Sequence, residues 1–214
     1  MKKLGNWWVP VREEVGIRDI LAEWEYKHKP VLSLVKKRRR VIQAGGYVGV
    51  FPKGLSGYFD EVITFEPVQE NWLCLLTNLK DVTNIKKFNC ALGNSKGLLK
   101  VKQTVHNNCG AVQLEDSDSG HIKVVKLDDL SFRDVDLLWL DLEGFEAKAL
   151  LGAKKLIKKY KPIIVLENNG LIHEFPSGKE GSEDLRNWMK KEFNYVISKR
   201  LMRDDVFVPR RLFN

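Results

Sequence analysis

Short apolar runs alternate with segments of helical periodicity through most of the chain. The apolar runs predict strands, and the segments between them place apolar residues on one face of a helix. A regular alternation of strands and helices is typical of a parallel sheet with helices on both faces. The predicted strands are Arg40–Ala44, Glu61–Phe65, Ile85–Cys90, Leu137–Leu140 and Ile163–Leu166, and the predicted helices between them are Phe51–Tyr58, Val68–Leu79 and Phe145–Lys159.

Both ends of the chain depart from this alternation. We predict an N-terminal helical extension over residues 1–39, with a helix at Val15–Lys27, which folds as one unit with a main domain over residues 40–214. The C-terminal part predicts a helix and then an antiparallel sheet edge. Its helix lies near Ser182–Lys191, its strands are Tyr195–Ser198 and Asp205–Pro209, and Arg203-Asp204-Asp205 form the turn between them.

The stretch between the third and fourth predicted strands is long and polar at its centre. Its ends, Leu98–Val105 and His121–Val125, predict a pair of strands that carries a loop. His106 lies in this loop, which could cover a site as an acceptor-recognition lid, and His173 follows the fifth strand. A single histidine in a loop is more often solvated than functional.

Composition and charge narrow the classes of function. The 214 residues carry a net charge of +8, and the basic run Lys36–Arg40 predicts either a polyanion contact, for example to nucleic acid, or a solvated connector into the first strand. No apolar run reaches the ~18 residues of a membrane span. The three cysteines are widely spaced, so we predict reduced thiols and a cytoplasmic protein. The spacing of His, Asp and Glu predicts no metal site.

A glycine-rich turn, Gln43-Ala44-Gly45-Gly46-Tyr47-Val48-Gly49, follows the first predicted strand. Glu66 ends the second strand 21 positions after Gly45, close to the ~20-residue offset at which an acid meets a ribose hydroxyl in nucleotide-binding units. The first glycine of the dinucleotide pattern is absent, and no phosphate-binding Gly-Lys-Ser/Thr follows. The spacing leaves a dinucleotide and another adenosine cofactor equally open.

Five motifs occur in an order and at a spacing that together are specific, although each alone is weak. In these motifs the chain resembles the FkbM-family methyltransferases, a class I group that depends on S-adenosylmethionine, over about residues 40–170. The motifs are Gln43-Ala44-Gly45-Gly46-Tyr47-Val48-Gly49, Phe65-Glu66-Pro67 with Asn71, Ala91-Leu92-Gly93, Leu127-Asp128-Asp129-Leu130 and Leu140-Asp141-Leu142-Glu143-Gly144-Phe145-Glu146.

The resemblance implies an α/β fold, a Rossmann-like three-layer αβα sandwich whose seven-stranded sheet is mostly parallel with an antiparallel C-terminal strand. It also implies S-adenosylmethionine as cofactor and S-adenosylhomocysteine as product. The glycines would line the methionine part, Glu66 would accept hydrogen bonds from both ribose hydroxyls, and the end of the third strand would flank the adenine. The cofactor-binding residues implied in this way are Gln43, Gly45, Gly46, Gly49, Glu66, Pro67, Asn71, Cys90, Ala91, Leu92 and Asp141.

Gln43 departs from the wider class, most members of which carry an acid at this position, facing the amino end of the cofactor. An amide offers an oxygen acceptor but no charge. Weaker or differently arranged binding and a loss of activity are therefore both open.

Three acids stand at the carboxyl ends of the fourth and fifth predicted strands, where ligands of open α/β sheets bind. Asp141, Glu143 and Glu167 are therefore the candidate catalytic residues, which could orient an acceptor or take its proton. Asp141 is the first choice because it follows a buried apolar strand. Glu143 is equally well explained as an acid at a helix N-terminus, and Glu167 as a solvent-facing strand end.

The resemblance implies transfer of a methyl group to oxygen, on the hydroxyl of a sugar, glycan or other small molecule. Two alternatives stay open: a methyltransferase for RNA or another polyanion, docked by the basic run, and a module that binds S-adenosylmethionine without turnover. Nothing in the sequence indicates the oligomeric state.

Overall fold

The fold is given by a computed structural model that describes residues 1–105, 107–168 and 182–212. Two candidate histidines, His106 and His173, lie outside the described residues. Within these ranges, no helix combines the length and the apolar character needed to cross a bilayer.

The N-terminal part contains a hairpin that the apolar pattern did not predict. Its strands are β1 (Lys2–Leu4) and β2 (Trp7–Val9), and the predicted helix follows as α1 (Gly16–Leu32). The side chain of Asn78 exchanges two hydrogen bonds of 2.8 Å with the backbone of Trp8, which fixes the hairpin to the rest of the molecule. The division into an extension and a main domain stays a prediction.

The other elements follow the predicted alternation of strands and helices closely. In chain order they are β3 (Arg40–Ala44), α2 (Val50–Ser56), β4 (Glu61–Phe65), α3 (Gln69–Asn78), β5 (Ile85–Phe88), β6 (Ala91–Leu92), β7 (Gly97–Val105), β8 (Asn108–Asp116), β9 (Ile122–Val125), β10 (Val135–Leu140), α4 (Glu146–Leu151), α5 (Lys154–Tyr160), β11 (Ile163–Glu167), α6 (Ser182–Phe193), β12 (Tyr195–Leu201) and β13 (Asp204–Pro209).

The central sheet of the described residues has seven strands in the order β5–β4–β3–β10–β11–β13–β12. The pairs from β5 to β11 are parallel, and β13 runs antiparallel to both of its neighbours. Successive strand residues point to opposite faces: Val41 packs on the side of α1, α2 and α3, and Ile42 on the side of α4, α5 and α6. The predicted three-layer αβα sandwich is therefore confirmed.

The insertion between β5 and β10 differs from the prediction of two strands and a polar loop. β6, β9, β7 and β8 form a second sheet in that order, and the polar centre is itself the strand β8, paired with β7 as a hairpin. Cys109 and Val112 are buried, whereas the polar residues of β8 are half-buried or exposed. A strand with one solvated face has too few apolar residues to stand out from a loop.

Two further boundaries differ from the predicted ones. The helix predicted over Phe145–Lys159 is interrupted between α4 and α5 at Gly152, where a Cβ would lie 1.9 Å from the Gly93 carbonyl oxygen. The turn between β12 and β13 consists of Met202 and Arg203, because Leu201 pairs with Asp204 in the antiparallel ladder. Asp204 is thereby a strand residue and is buried.

The basic run lies at the amino ends of the central strands, at the opposite edge of the sheet from their carboxyl ends. Arg39 is ion-paired with Asp136 and Asp134, and Arg40 with Glu61. Lys36 and Lys37 are exposed. This arrangement favours the interpretation of the run as a connector into β3.

Candidate active site

The glycine turn after β3 touches the loop after β10. Gly45 has a left-handed φ of +84°, and a Cβ at this position would lie 1.9 Å from the carbonyl oxygen of Asp141. Only glycine avoids this overlap. Gln43 is buried behind the turn: its amide nitrogen donates to the Gly45 carbonyl (2.8 Å), and its amide oxygen accepts from the Thr64 hydroxyl (2.7 Å). The neutral side chain of Gln43 therefore stabilises the turn with both of its polar ends.

We expect Gly45→Ala to lower the free energy of unfolding by about 2–4 kcal/mol, because the methyl group would overlap the Asp141 carbonyl at a strained φ. Urea unfolding of the full chain measures this change. Gly57→Ala is the matched control, since its φ is −76° and its Cβ would come no closer than 3.6 Å to another group. We expect unchanged or slightly raised stability for the control, and equal stability of the two variants would contradict the close contact.

Glu66 lies directly after β4 and is only 4% exposed. Its Oε2 accepts a hydrogen bond from the Tyr47 N–H (2.7 Å) and its Oε1 from the Val68 N–H (2.8 Å). Burial raises the pKa of Glu66 to about 7, although these hydrogen bonds favour the charged form. The side chain of Asn71 also hydrogen-bonds to Glu66. A carboxylate has four lone pairs, so after these three bonds Glu66 can still accept a hydrogen bond from a ligand.

A cleft of about 510 Å³, which we call the narrow cleft, opens beside Glu66. Asn71 lines this cleft; its side-chain nitrogen donates to the Cys109 carbonyl (2.8 Å), while its buried oxygen has no donor among the described residues. A hydrogen-bond donor of a ligand would satisfy this oxygen. Of the predicted cofactor residues, the narrow cleft is lined by Gly45, Glu66, Pro67, Asn71, Cys90, Ala91, Leu92 and Asp141.

The side chain of Glu146 holds the loop between β10 and α4 in place. This side chain is 1% exposed, and its carboxylate accepts from the N–H groups of Leu142 (2.7 Å) and Gly144 (3.1 Å). Burial raises the pKa of Glu146 to about 8. Glu146 therefore fixes the backbone that presents Asp141 and Glu143 to the clefts.

The three candidate catalytic acids converge, as expected from their positions at strand ends. One carboxylate oxygen from each of Asp141, Glu143 and Glu167 lies within 4.8 Å of the others, so the three acids could hold a metal ion, which the spacing of His, Asp and Glu in the sequence did not predict. Burial and the neighbouring Glu167 raise the pKa of Asp141 well above its usual range. Burial and the charge of Glu143 raise the pKa of Glu167 to about 7, and the side chains of Asp141 and Glu167 share a hydrogen bond. When the pair holds one proton, Asp141 is therefore the partner that keeps it and donates to Glu167.

A second cleft, the wide cleft, has a volume of about 1640 Å³ and adjoins the narrow one. Both clefts share Gly45, Glu66, Gly110, Asp141 and Glu143 in their walls. The wide cleft continues past the three candidate catalytic acids to α1 on one side and to the turn between β12 and β13 on the other. Its additional wall residues include Asp19, Glu23, Glu167 and Arg203.

Arg203 bridges the two sides of the wide cleft. Its guanidinium lies 3.5 Å from a carboxylate oxygen of Glu23 on α1 and 3.4 Å from one of Glu167 at the end of β11. Behind it, the buried Lys27 of α1 is ion-paired with Glu23 (2.6 Å) and with Asp204 (2.8 Å). These ion pairs thus attach α1 to β13, the last strand in chain order.

Of the predicted site residues, Gln43, Gly46 and Gly49 line neither cleft. Gln43 and Gly46 contact Thr64 behind the turn, and Gly49 packs on Leu79. The sequence reasoning also missed several charged residues around the clefts. For Lys27 a signal existed, since it lies on the same helical face as the apolar Trp24 and Val31, where a solvated lysine is not expected. The other missed residues are Glu23, Glu146, Arg203 and Asp204.

Comparison with known proteins identifies the framework that carries these clefts. Residues 43–197, well over half of the chain, match the family described as Methyltransferase FkbM domain. The chain belongs to this methyltransferase family. The family match contains every residue of the narrow cleft but leaves out α1 and Arg203. A search of curated proteins gave no significant match.

Two solved structures share the fold of this FkbM-family chain. Methyltransferase FkbM from Methylobacillus flagellatus KT is 20% identical with a TM-score of 0.55, over 80% of this chain and 43% of that chain. The chain therefore spans less than half the length of that relative. A chain of the fibrillarin/Nop5p complex is 17% identical with a TM-score of 0.52, over 88% of this chain and 81% of that one. At these identities the likeness establishes the fold alone.

Proposed function

We propose that the protein transfers a methyl group from S-adenosylmethionine to a hydroxyl oxygen of a sugar or another small molecule. The observation that carries the proposal is the buried carboxylate of Glu66 beside the glycine turn, within a cleft made of family-matched residues. A buried carboxylate with free lone pairs favours a ligand that donates hydrogen bonds, such as the two hydroxyls of a ribose.

The residues of the narrow cleft fit the parts of this cofactor. Glu66 would accept from the ribose hydroxyls, and the side-chain oxygen of Asn71 would accept a further hydrogen bond. Cys90, Ala91 and Leu92 offer a buried, largely apolar edge for the adenine. The methionine part would follow the backbone of the glycine turn at Gly45, which lines the narrow cleft.

Calorimetry on the full chain with S-adenosylmethionine and S-adenosylhomocysteine tests the cofactor assignment. We expect saturable binding of both, and absence of binding to both would overturn the proposal. Transfer of a labelled methyl group to a panel of hydroxyl acceptors tests the reaction. Binding without transfer to any acceptor of the panel would favour a module that binds the cofactor without turnover.

The raised pKa of Glu66 predicts that cofactor affinity depends on pH. Ribose hydroxyls donate best to the ionised carboxylate, so S-adenosylhomocysteine affinity should fall by up to about tenfold per pH unit below about 7. Calorimetry from about pH 8 to pH 5.5 measures this slope, and Glu66→Gln should flatten it. Glu61→Gln, at the other end of β4, should keep the wild-type slope, and an unchanged slope in Glu66→Gln would assign the titration to another group.

For the protein without ligand, the raised pKa of Glu66 makes its contribution to the free energy of unfolding decrease, not increase, as the pH rises. The folded-state pKa of Glu66 is raised above its ordinary value of 4.5, so the native state binds this proton more tightly than the unfolded state. The contribution of Glu66 to stability is therefore greatest below about pH 4.5 and decreases as the pH rises through about 7.

The sulfonium of S-adenosylmethionine supplies a reactive methyl group, so the protein has to align the acceptor and take its proton. Glu167 is best suited to be the base, because its pKa near 7 allows it to be ionised and still basic at neutral pH. Asp141 would orient Glu167 through their shared hydrogen bond. Glu143 would accept a hydrogen bond from a second hydroxyl of the acceptor.

The position of the basic run argues for a small acceptor over a polyanion. The run lies at the amino ends of the strands, and two of its arginines, Arg39 and Arg40, are paired with acids of the same molecule. The clefts open at the carboxyl ends, where acids prevail. A polyanion bound to the run would not extend into the catalytic acids without repulsion.

A further inference from the structure

The wall of the wide cleft comes from two sources. Its floor, with Gly45, Glu66, Asp141 and Glu143, lies within the family match and is shared with the narrow cleft. Its outer wall, with residues of α1 and of the turn between β12 and β13, lies outside the match. The part that lies outside the shared methyltransferase framework is thus the part that an acceptor would meet.

Arg203 is the one cation among the described residues that line the wide cleft. It is positioned from both sides, by Glu23 of α1 (3.5 Å) and by Glu167 of β11 (3.4 Å). A guanidinium held between two carboxylates keeps donor hydrogens directed across the cleft, and the carboxylates keep lone pairs for further donors. Glu23 and Arg203 therefore form an adjacent acceptor and donor pair, the combination that neighbouring hydroxyls of one molecule require.

The pair is fixed from behind by a buried charge network. Lys27 is 2% exposed and Asp204 is 2% exposed, and their ion pair of 2.8 Å joins α1 to β13 directly beside Glu23 and Arg203. Burial alone would lower the pKa of Lys27, but the carboxylates of Asp204 and Glu23 raise it, so the lysine stays charged. A buried ion pair is weak evidence for stability and is better explained by a role in fixing geometry.

We propose that the outer wall of the wide cleft selects the methyl acceptor, with Glu23 and Arg203 as its acceptor-binding residues and Lys27 as the residue that positions them. The inference rests on the proposed function and adds the chemical class of the acceptor. Carboxyl groups outnumber the single guanidinium among the described residues of the cleft, at Asp19, Glu23, Glu66, Asp141, Glu143 and Glu167. The wall therefore accepts a neutral compound with neighbouring hydroxyls and rejects the phosphorylated form of the same compound.

The test compares neutral methyl hexosides with the corresponding hexose 6-phosphates as acceptors of labelled methyl groups from S-adenosylmethionine. The full chain is measured at about pH 8.5, above the pKa of Glu167, so that its ionisation does not limit the rate. We expect kcat/KM to be at least about tenfold higher for a neutral hexoside than for its phosphate. Equal or better transfer to the phosphates would overturn the proposal.

Arg203→Gln and Glu23→Gln should each raise KM for the neutral acceptor about tenfold and change kcat less, because they remove binding to the acceptor. Affinity for S-adenosylhomocysteine should stay unchanged in both variants. Arg200→Gln is the matched control: Arg200 is on the same strand pair, is half exposed and pairs with Asp205 (3.2 Å), but does not line the cleft. An unchanged KM in Arg203→Gln and Glu23→Gln would overturn the role of the wall.

A double-mutant cycle distinguishes positioning by Lys27 from a general structural role. If Lys27 acts through Arg203, the effects of Lys27→Met and Arg203→Gln on KM will be non-additive, whereas additive effects would show that it does not. If Lys27→Met fails to fold, the single variants at Glu23 and Arg203 still decide the proposal. If the wild-type protein does not bind S-adenosylhomocysteine, the cofactor assignment is refuted. Wild-type protein that binds S-adenosylhomocysteine but methylates no neutral hexoside would refute the acceptor class alone.

Discussion

Glu167→Gln is expected to lower kcat by about 10²–10⁴-fold, the range that a positioned general base contributes. Glutamine keeps the size of the side chain and can still accept a hydrogen bond from Asp141, but it cannot take a proton from the acceptor hydroxyl. Because Glu167 lines only the wide cleft, affinity for S-adenosylhomocysteine should not change. Steady-state kinetics with the acceptor found in the panel, together with calorimetry, measures both quantities.

Two controls make this result specific. Asp141→Asn retains a donor to Glu167, so its loss of kcat should be smaller than that of Glu167→Gln. Glu192→Gln removes an acid that pairs with Lys158 (2.7 Å) on the far side of the molecule, and its kcat should equal that of the wild type. A larger loss in Asp141→Asn than in Glu167→Gln would transfer the role of the base to Asp141.

Glu66→Ala is expected to weaken binding of S-adenosylhomocysteine by about 1–3 kcal/mol, which corresponds to about 5- to 150-fold in Kd. The variant removes the proposed acceptor of the ribose hydroxyls and also leaves the N–H groups of Tyr47 and Val68 without their carboxylate partner. Part of the effect therefore comes from a looser glycine turn. Calorimetry at about pH 8, where Glu66 is ionised, gives the largest difference from the wild type.

The matched control for Glu66 lies on the same strand. Glu61 begins β4 at the opposite edge of the sheet and pairs with Arg40 and Lys86. Glu61→Ala should leave the affinity for S-adenosylhomocysteine unchanged. Wild-type affinity in Glu66→Ala would exclude Glu66 from the binding site and remove the main support for the cofactor.

Much of the fold could be predicted because its central strands are continuous apolar runs. β3 and β4 have the predicted boundaries, since strands buried on both faces carry a strong signal in the sequence. Features of the fold that depend on tertiary contacts could not be predicted from the sequence. The break at Gly152 depends on the approach of Gly93, which is distant in the sequence, and β8 is recognised as a strand only beside β7.

The same distinction applies to the candidate site: residues that follow predicted strands could be placed, and residues held by distant partners could not. Glu66 and Asp141 could be placed because each follows a predicted strand, and parallel strands bring their carboxyl ends together. Arg203 and Lys27 could not, because their partners lie at the other end of the chain and depend on the pairing of β13 with β11. The part played by Gln43 was also hidden, since its hydrogen bond to Thr64 requires the register between β3 and β4.

The ion pair between Lys27 and Asp204 joins positions 177 residues apart, so it can form only after both segments have been synthesised. A nascent chain that has left the ribosome through α4 already contains every residue of the narrow cleft. The outer wall of the wide cleft is completed only when β13 has also emerged. Under the proposed function, the residues that would hold the methyl donor are therefore synthesised before the wall that would admit an acceptor is complete.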